Sequence, residues 1–484
     1  MSTALEQYLL TPLEELAQAS NASPWDAIVV GGGTAGLTAA RTLAENGQRV
    51  AVLEGGSLAL LTHSTTTDLR FDPAGLTRFR ELLQYSPRRA DGGEFGFMIA
   101  CFGSRAMFWN GAAPRFAEDD FGDWPITKAD LDPFYDWAER EMRVSSDYGD
   151  TGLGQTALRQ LREAGLPAEL GPYAIDTHPT SDGWIGGTLG NPVATLLRTN
   201  LVTAEEPQLR MAAHAFATRI LLGAGGKAAA VAVTDLVSGT SHEIETRSVV
   251  LAAGGFESVR LAIASELPDR SGLLGKRIVD HLFCRAYYPV PTSLYNPAQP
   301  EAAIIAVPAD DKRGFQLELH LPSDNLFMLS ELSTWKPAED DPFYAAMVRS
   351  FAPVAPRDDN FVEIGKTTAP GDYTVHLTYS PADLALLEAM VAGLDSVRAA
   401  LDGQPAEAER FTPGDSHHEA GGMQMGNDPS NSVTDAYGRL WSVPNVVVAD
   451  AASWPSTSAA NPCLSITALS RRQALQLSGE LGQR

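Results

Sequence analysis

Four stretches of the chain are apolar without a break: AIVV at 27–30, VAVL at 50–53, VVL at 249–251 and VVV at 446–448. Uninterrupted β-branched runs of this length predict strands buried on both faces, as in a parallel sheet covered by helices. Between the first two lies an alanine-rich stretch from Thr38 to Asn46 with helical spacing, closed by Gly47 as a C-cap. Strand, glycine turn, helix and strand together predict a βαβ unit. From Gln208 to Leu251, short alternating runs separated by glycine turns predict an antiparallel meander that returns to a buried strand. Alternation in GFQLELHL and DYTVHLTY, with one amphipathic helix from about Ala382 to Leu401, predicts a second lobe between roughly Lys276 and Pro413. A terminal helix is expected near Pro462. The opening residues predict a short docking helix capped at Thr11 with Pro12 at its first position, Leu9, Leu13 and Leu16 sharing a face. Between Leu58 and Gly103 the pattern is mixed and predicts no particular element.

The glycine turn carries the first chemistry. Gly31, Gly33 and Gly36, with Thr34 and Ala35 between, form a GxGxxG that follows a strand and opens a helix. In that context the backbone can approach a pyrophosphate at a helix N-terminus. Glu54 closes the second strand where an acidic group accepts hydrogen bonds from an adenosine ribose and repels a 2′-phosphate. FAD or NAD is the ligand these residues predict, to the exclusion of NADP.

Composition narrows the setting. With 484 residues, two lobes are expected, and the net charge of −24 disfavours nucleic acid and anionic membranes while favouring cationic ligands. No apolar run is long enough to span a bilayer and the first twenty residues lack a signal-peptide pattern, which predicts a cytoplasmic protein. Three scattered cysteines, Cys101, Cys284 and Cys463, predict buried thiols rather than disulfides, and the nine histidines offer no metal-ligand spacing.

The far end of the chain decides between the two dinucleotides. The run from His418 to Gly426 (HEAGGMQMG), then VTDAYGRLWSVPNVVVADAASWP and Asn461-Pro462, resembles the C-terminal signature of the glucose-methanol-choline (GMC) oxidoreductases. The segments GSRAMFWNGAAPRF, DDFGDWPITKADLDPFYDWAE, SVVLAAGGFESVRLA and GKRIVDH agree with the same family, in family order. The resemblance implies FAD, an α/β architecture with a Rossmann-like FAD-binding domain assembled from discontinuous segments, and a substrate domain on an antiparallel sheet with helices. It places an N-terminal helical arm at 1–24, the FAD-binding domain at 25–150, 195–275 and 415–484, and the substrate-binding domain at 151–194 and 276–414.

The family oxidises alcohols, so a base must take the hydroxyl proton while hydride goes to the flavin N5. The resemblance puts that base at His418 and a second polar residue at Asn461, where many relatives carry a histidine. It assigns cofactor contacts to Trp109, Asn110 and Gly111, to Ala217, to Ala253 and Gly254, to Asp450 and Ala451, and to Asn461 and Pro462. Two departures are Gly422, where threonine is common, and Phe108, where some relatives bear a histidine joined covalently to flavin; a phenyl ring predicts non-covalent FAD. Trp124, Pro125, Phe134, Tyr135 and Trp137 are expected to pack beneath the FAD domain rather than stack on a sugar.

The expected substrate is a polar small-molecule alcohol: a sugar, amino sugar or polyol, including the primary hydroxyl of an aminoglycoside-type intermediate. An FAD-containing lyase, and an oxidase of a non-sugar alcohol, are the alternatives, and the electron acceptor, O₂ or another, carries no motif. Glu318, Asp324 and Glu331 are candidate ammonium partners, each expected first as a solvated surface charge.

Overall fold

A computed structural model describes residues 4–179, 185–294, 303–321, 343–367 and 369–483. The four apolar runs lie side by side in one sheet. Its order is Leu209–Ala212, Val50–Leu53, Ala27–Val30, Val249–Leu251 and Val443–Val448, all parallel, with a short antiparallel edge at Arg439–Leu440. The helices Thr34–Glu45 and Cys463–Gly482 pack together beside this sheet. The meander Ala215–Leu222, Ala228–Asp235 and Ser241–Glu245 shares a core with the strands and with Trp25. With both faces covered, every residue of the inner strands Val50–Leu53, Ala27–Val30 and Val249–Leu251 is buried, which is why the pattern has no alternation.

The second sheet is antiparallel, in the order Glu409–Arg410, His281–Pro291, Phe343–Pro353, Gln316–Leu321, Ala303–Val307 and Glu169–Leu170. The helix Pro381–Ala400 closes one face, its start fixed by a reciprocal cap between Ser380 and Asp383. Strand periodicity then sorts side chains: Leu282, Cys284, Ala286, Tyr288 and Val290 belong to the core under that helix, and Phe283, Arg285 and Tyr287 line a cavity on the opposite face. Trp124 and Tyr135 join Phe116 and Trp454 in a separate buried cluster, as packing residues.

Three local expectations change. The N-terminal arm is two helices, Ala4–Leu9 and Leu13–Ala22; Pro12 occupies the N-cap of the second and no side chain caps it, so Thr11 is not the cap. Leu9, Leu13 and Leu16 are nonetheless buried. The helix after the glycine turn starts at Thr34, four residues earlier than expected, because Gly33 serves as its N-cap. The segment 58–103 contains 3-10 turns, the helix Pro73–Glu81 and short strand pairs, and it forms one wall of the cavity. Among the described residues no helix is long and apolar enough to cross a membrane, and no cluster of His, Cys, Asp or Glu could hold a metal ion.

Candidate active site

The two sheets meet at a cavity of about 1040 Å³. At one end is the glycine turn. Gly31 has φ +103°, and a Cβ there would lie 2.3 Å from the Ala252 carbonyl oxygen; a Cβ on Gly36 would lie 1.9 Å from the Gly31 carbonyl oxygen. Side chains are therefore excluded at both positions by backbone, so the turn closes tightly between the strand and the start of the helix. Glu54 accepts hydrogen bonds from the backbone N–H of Gly32 (2.7 Å) and of Gly56 (2.8 Å). Burial raises its carboxyl pKa and these two donors oppose that rise. The turn and the acid are thus one rigid unit.

A second polar cluster faces the same end. Glu257 accepts from Tyr85 (3.1 Å) and from Arg260 (2.6 Å), and Arg260 also donates to the Ala217 carbonyl at 3.1 Å. Asp450 accepts from the Gly254 N–H (3.0 Å), the Ser258 hydroxyl (2.6 Å) and the Ala452 N–H (3.0 Å). It therefore ties the turn after Leu251 to the turn after Val448, with burial pushing its carboxyl up to about 6. Arg105 grips Glu419 and also donates to the His417 carbonyl at 2.8 Å.

The other end of the cavity holds His418 and Asn461. His418 rides on a loop anchored by Asp280, which accepts from the Gly414 N–H (2.8 Å), the His418 N–H (3.2 Å) and the Ser416 hydroxyl. Its Nδ1 lies 2.9 Å from Nδ1 of His281. Burial, then the neighbouring His281 and Arg105, hold the His418 imidazole well below the usual histidine range, so it is neutral near pH 7. Asn461 is buried, and its Oδ1 accepts from Gln316 Nε2 at 2.8 Å; the same nitrogen reaches Glu318 at 3.0 Å. Glu318 in turn accepts from Arg349 at 2.7 Å. Stacked rings of Phe283, Phe351 and Phe411, with centroids 4.8 and 4.4 Å apart, wall this end.

Most of the sequence-predicted site residues line this one cavity: Gly31, Gly33, Thr34, Ala35, Glu54, Trp109, Asn110, Ala217, Ala253, Gly254, His418, Asp450, Ala451 and Asn461. Gly36, Gly111 and Pro462 do not line it and act beneath it. Gly36 lets the turn close; Gly111, at φ +87°, packs against Leu189; Pro462 is the N-cap of the terminal helix. Phe108 lines the cavity beside Phe79, and Gly422 is glycine because a Cβ would sit 2.6 Å from Val259. Glu318 is no solvated surface charge: it is 5% exposed and locked to Arg349. Asp324 and Glu331 lie outside the described residues. Sequence reasoning missed His281, Gln316, Arg105 and the wall from 58 to 103. The GKRIVDH block was the available signal for His281 and the GSRAMFWNGAAPRF block for Arg105; nothing local marks Gln316 or the wall.

Comparison with known proteins agrees with this arrangement. Residues 116–283 and 356–470 match the N- and C-terminal family models described as GMC oxidoreductase, and residues 26–65 match an FAD binding domain. The chain is 25% identical to paromamine 6'-oxidase of Streptomyces fradiae, over 95% of this chain and 92% of that one. It is 26% identical to C-glycoside 3-oxidase of Microbacterium trichothecenolyticum, over 80% and 78% of the two chains. To 2-methyl-1,2-propanediol dehydrogenase of Mycolicibacterium austroafricanum it is 26% identical, over 78% and 80%. Among solved structures, pyridoxine 4-oxidase from Mesorbium loti superposes with a TM-score of 0.65 at 16% identity, covering 93% of this chain and 99% of that one. Formate oxidase of Aspergillus oryzae RIB40 superposes with a TM-score of 0.67 at 14% identity, covering 95% and 98%. At these identities the two structures speak to the fold alone.

Proposed function

This chain belongs to the GMC oxidoreductase family, an FAD-dependent alcohol oxidoreductase, and from that premise we propose that His418 is its general base and Asn461 the group that orients the alcohol. One observation carries the reading: a histidine held neutral and an asparagine whose carbonyl is already occupied line the same cavity as the glycine turn. The residues present fit FAD, because the turn that Gly36 lets close lines the cavity at Gly31, Gly33 and the start of the helix, and with Glu54 suits its nucleotide half. When bound, FAD supplies the acceptor for the carbinol hydrogen.

The chain's own groups do the rest. A neutral imidazole can accept the alcohol proton, and the proton bound to oxygen passes to nitrogen with no other bond to protein changed. Gln316 consumes the Asn461 carbonyl, so Asn461 turns N–H donors toward the alcohol oxygen and steadies the negative charge that grows there. The phenyl walls keep water from competing. Phe108 supports non-covalent FAD, since it offers no nucleophile.

For substrate we propose a sugar, amino sugar or polyol, as relatives named for paromamine, C-glycosides and a propanediol support. Two observations bear on the amino group. The chain-wide charge of −24 attracts a cation, whereas the cavity itself sets Arg80, Arg105, Arg260, Arg285 and Arg349 against Glu54, Glu257, Asp415, Glu419 and Asp450 and adds no net pull. An anaerobic screen of flavin bleaching across sugars, amino sugars and polyols tests the function, and adding O₂ or a dye afterwards identifies the acceptor. Reduction by at least one alcohol is expected; bleaching by none would replace alcohol oxidation with a non-redox lyase.

A further inference from the structure

His281 is completely buried at the start of the strand His281–Pro291 in the second sheet, 137 residues from His418 in the chain, and it touches the base directly. The two rings are nearly perpendicular, at 78°, with centroids 4.7 Å apart, and Phe351 packs against both. Their Nδ1 atoms are 2.9 Å apart. A contact this short between two imidazole nitrogens needs one hydrogen between them: two N–H groups would collide and two lone pairs would repel.

Which ring carries that hydrogen follows from the role read for His418. A base whose Nδ1 faces His281 has only Nε2 left to accept with, so its hydrogen sits on Nδ1 and the His281 Nδ1 is the bare lone pair. The neutral His281 ring then carries its own hydrogen on Nε2, 3.2 Å from the Thr457 hydroxyl, which can accept it.

We infer that His281 is a positioning residue that fixes His418 as its Nδ1–H tautomer and so keeps the His418 Nε2 lone pair turned to the alcohol. The inference rests on the reading of His418 as the base. Without His281, an imidazole is free to carry its hydrogen on Nε2, where it donates to the alcohol instead of accepting from it. After proton transfer the His418 imidazolium keeps its Nδ1–H bond to His281, which limits its reorientation.

Two measurements on the oxidised holoenzyme test this. In protein labelled with ¹⁵N-histidine, with the His418 signals assigned from His418→Gln, His418 should show a protonated Nδ1 and a bare Nε2 near pH 7.5. A protonated Nε2 would overturn the inference whatever the kinetics say. In anaerobic flavin reduction, His281→Leu should slow the rate roughly 10- to 100-fold with FAD still bound, the usual worth of a residue that orients a working group. His281→Asn, whose Oδ1 replaces the lost acceptor, should recover most of that loss, which a role in packing alone does not explain because leucine fills the space better. Equal rates in the leucine and asparagine variants would sink the proposal. Near-normal reduction by His418→Gln would instead remove His418 as base, a separate failure that leaves the tautomer result standing. If His281→Leu fails to fold, the labelled wild type and the asparagine variant still decide.

Discussion

The two ends of the cavity are built on different principles. The nucleotide end is built around backbone: glycines whose missing Cβ atoms let main chain pack against main chain, and carboxylates of Glu54 and Asp450 whose partners are main-chain N–H groups and one hydroxyl, with the Tyr85–Glu257–Arg260 cluster beside them. The alcohol end is made of side chains from distant segments, in the pairs His418–His281, Asn461–Gln316 and Glu318–Arg349. A backbone site tolerates sequence change around it but no added atoms within it. A side-chain site tolerates added atoms at its walls but depends on single hydrogen bonds. The binding of cofactor and the handling of the proton should therefore fail independently.

The largest effect is expected at the backbone end. Gly36→Val puts a Cβ 1.9 Å from a carbonyl oxygen that cannot move without breaking the turn. The purified protein should be colourless, with FAD content near zero by absorbance; normal yellow stoichiometry would contradict the backbone account of that end.

A smaller effect should come from one hydrogen bond at the other end. Gln316→Leu frees the Asn461 amide to turn its carbonyl toward the alcohol. A bond of this kind is worth about 1 to 2 kcal/mol, so stopped-flow reduction should slow roughly 5- to 30-fold with FAD content unchanged. An unaltered rate would mean that Gln316 does not orient Asn461.

Acid should weaken the fold through histidines buried as neutral rings. Burial lowers His63 and His281 from 6.5 to about 4. Their folded pKa lies below the unfolded one, so the unfolded chain binds more protons under pH 6.5. The stability they contribute is complete above about 6.5 and is lost as pH falls toward 4. The holoenzyme Tm should drop steadily from pH 7 to 5, and His63→Gln should flatten that slope; a Tm independent of pH over this range would remove the prediction. The smallest expected effect is none at all: acid precipitation should release all the FAD into the supernatant, since Phe108 offers no attachment. Flavin in the pellet would reveal a covalent link elsewhere.

The same contrast explains what was legible in the sequence. A backbone site is encoded locally, so strand, GxGxxG, helix and Glu54 at the end of the next strand could be read directly. His418 and Asn461 were reached through a family resemblance, and the structure brings them to one cavity. Gln316 looked like one polar position in an alternating strand. Its role arises from a partner 145 residues away, and no local pattern encodes such pairing. Glu318 was misread for the same reason: a glutamate in an alternating strand reads as solvated until the pairing of Gln316–Leu321 with Phe343–Pro353 sets Arg349 beside it. The wall from 58 to 103 lacks periodicity because turns and short strands follow the cavity rather than a layer.

The central claim is that His418, and not its neighbour His417, takes the alcohol proton. His417 shares the cavity wall, with its ring against Phe97 at 4.1 Å, so the two adjacent histidines are a controlled pair. The direct measurement is anaerobic stopped-flow flavin reduction at pH 7.5 in His418→Ala and His417→Ala, using an alcohol that bleaches the wild type. His418→Ala should reduce its flavin roughly 10²- to 10⁴-fold more slowly while retaining FAD, with His417→Ala within a few-fold of wild type. Near-normal reduction in His418→Ala, or a crippled His417→Ala beside it, would contradict the account.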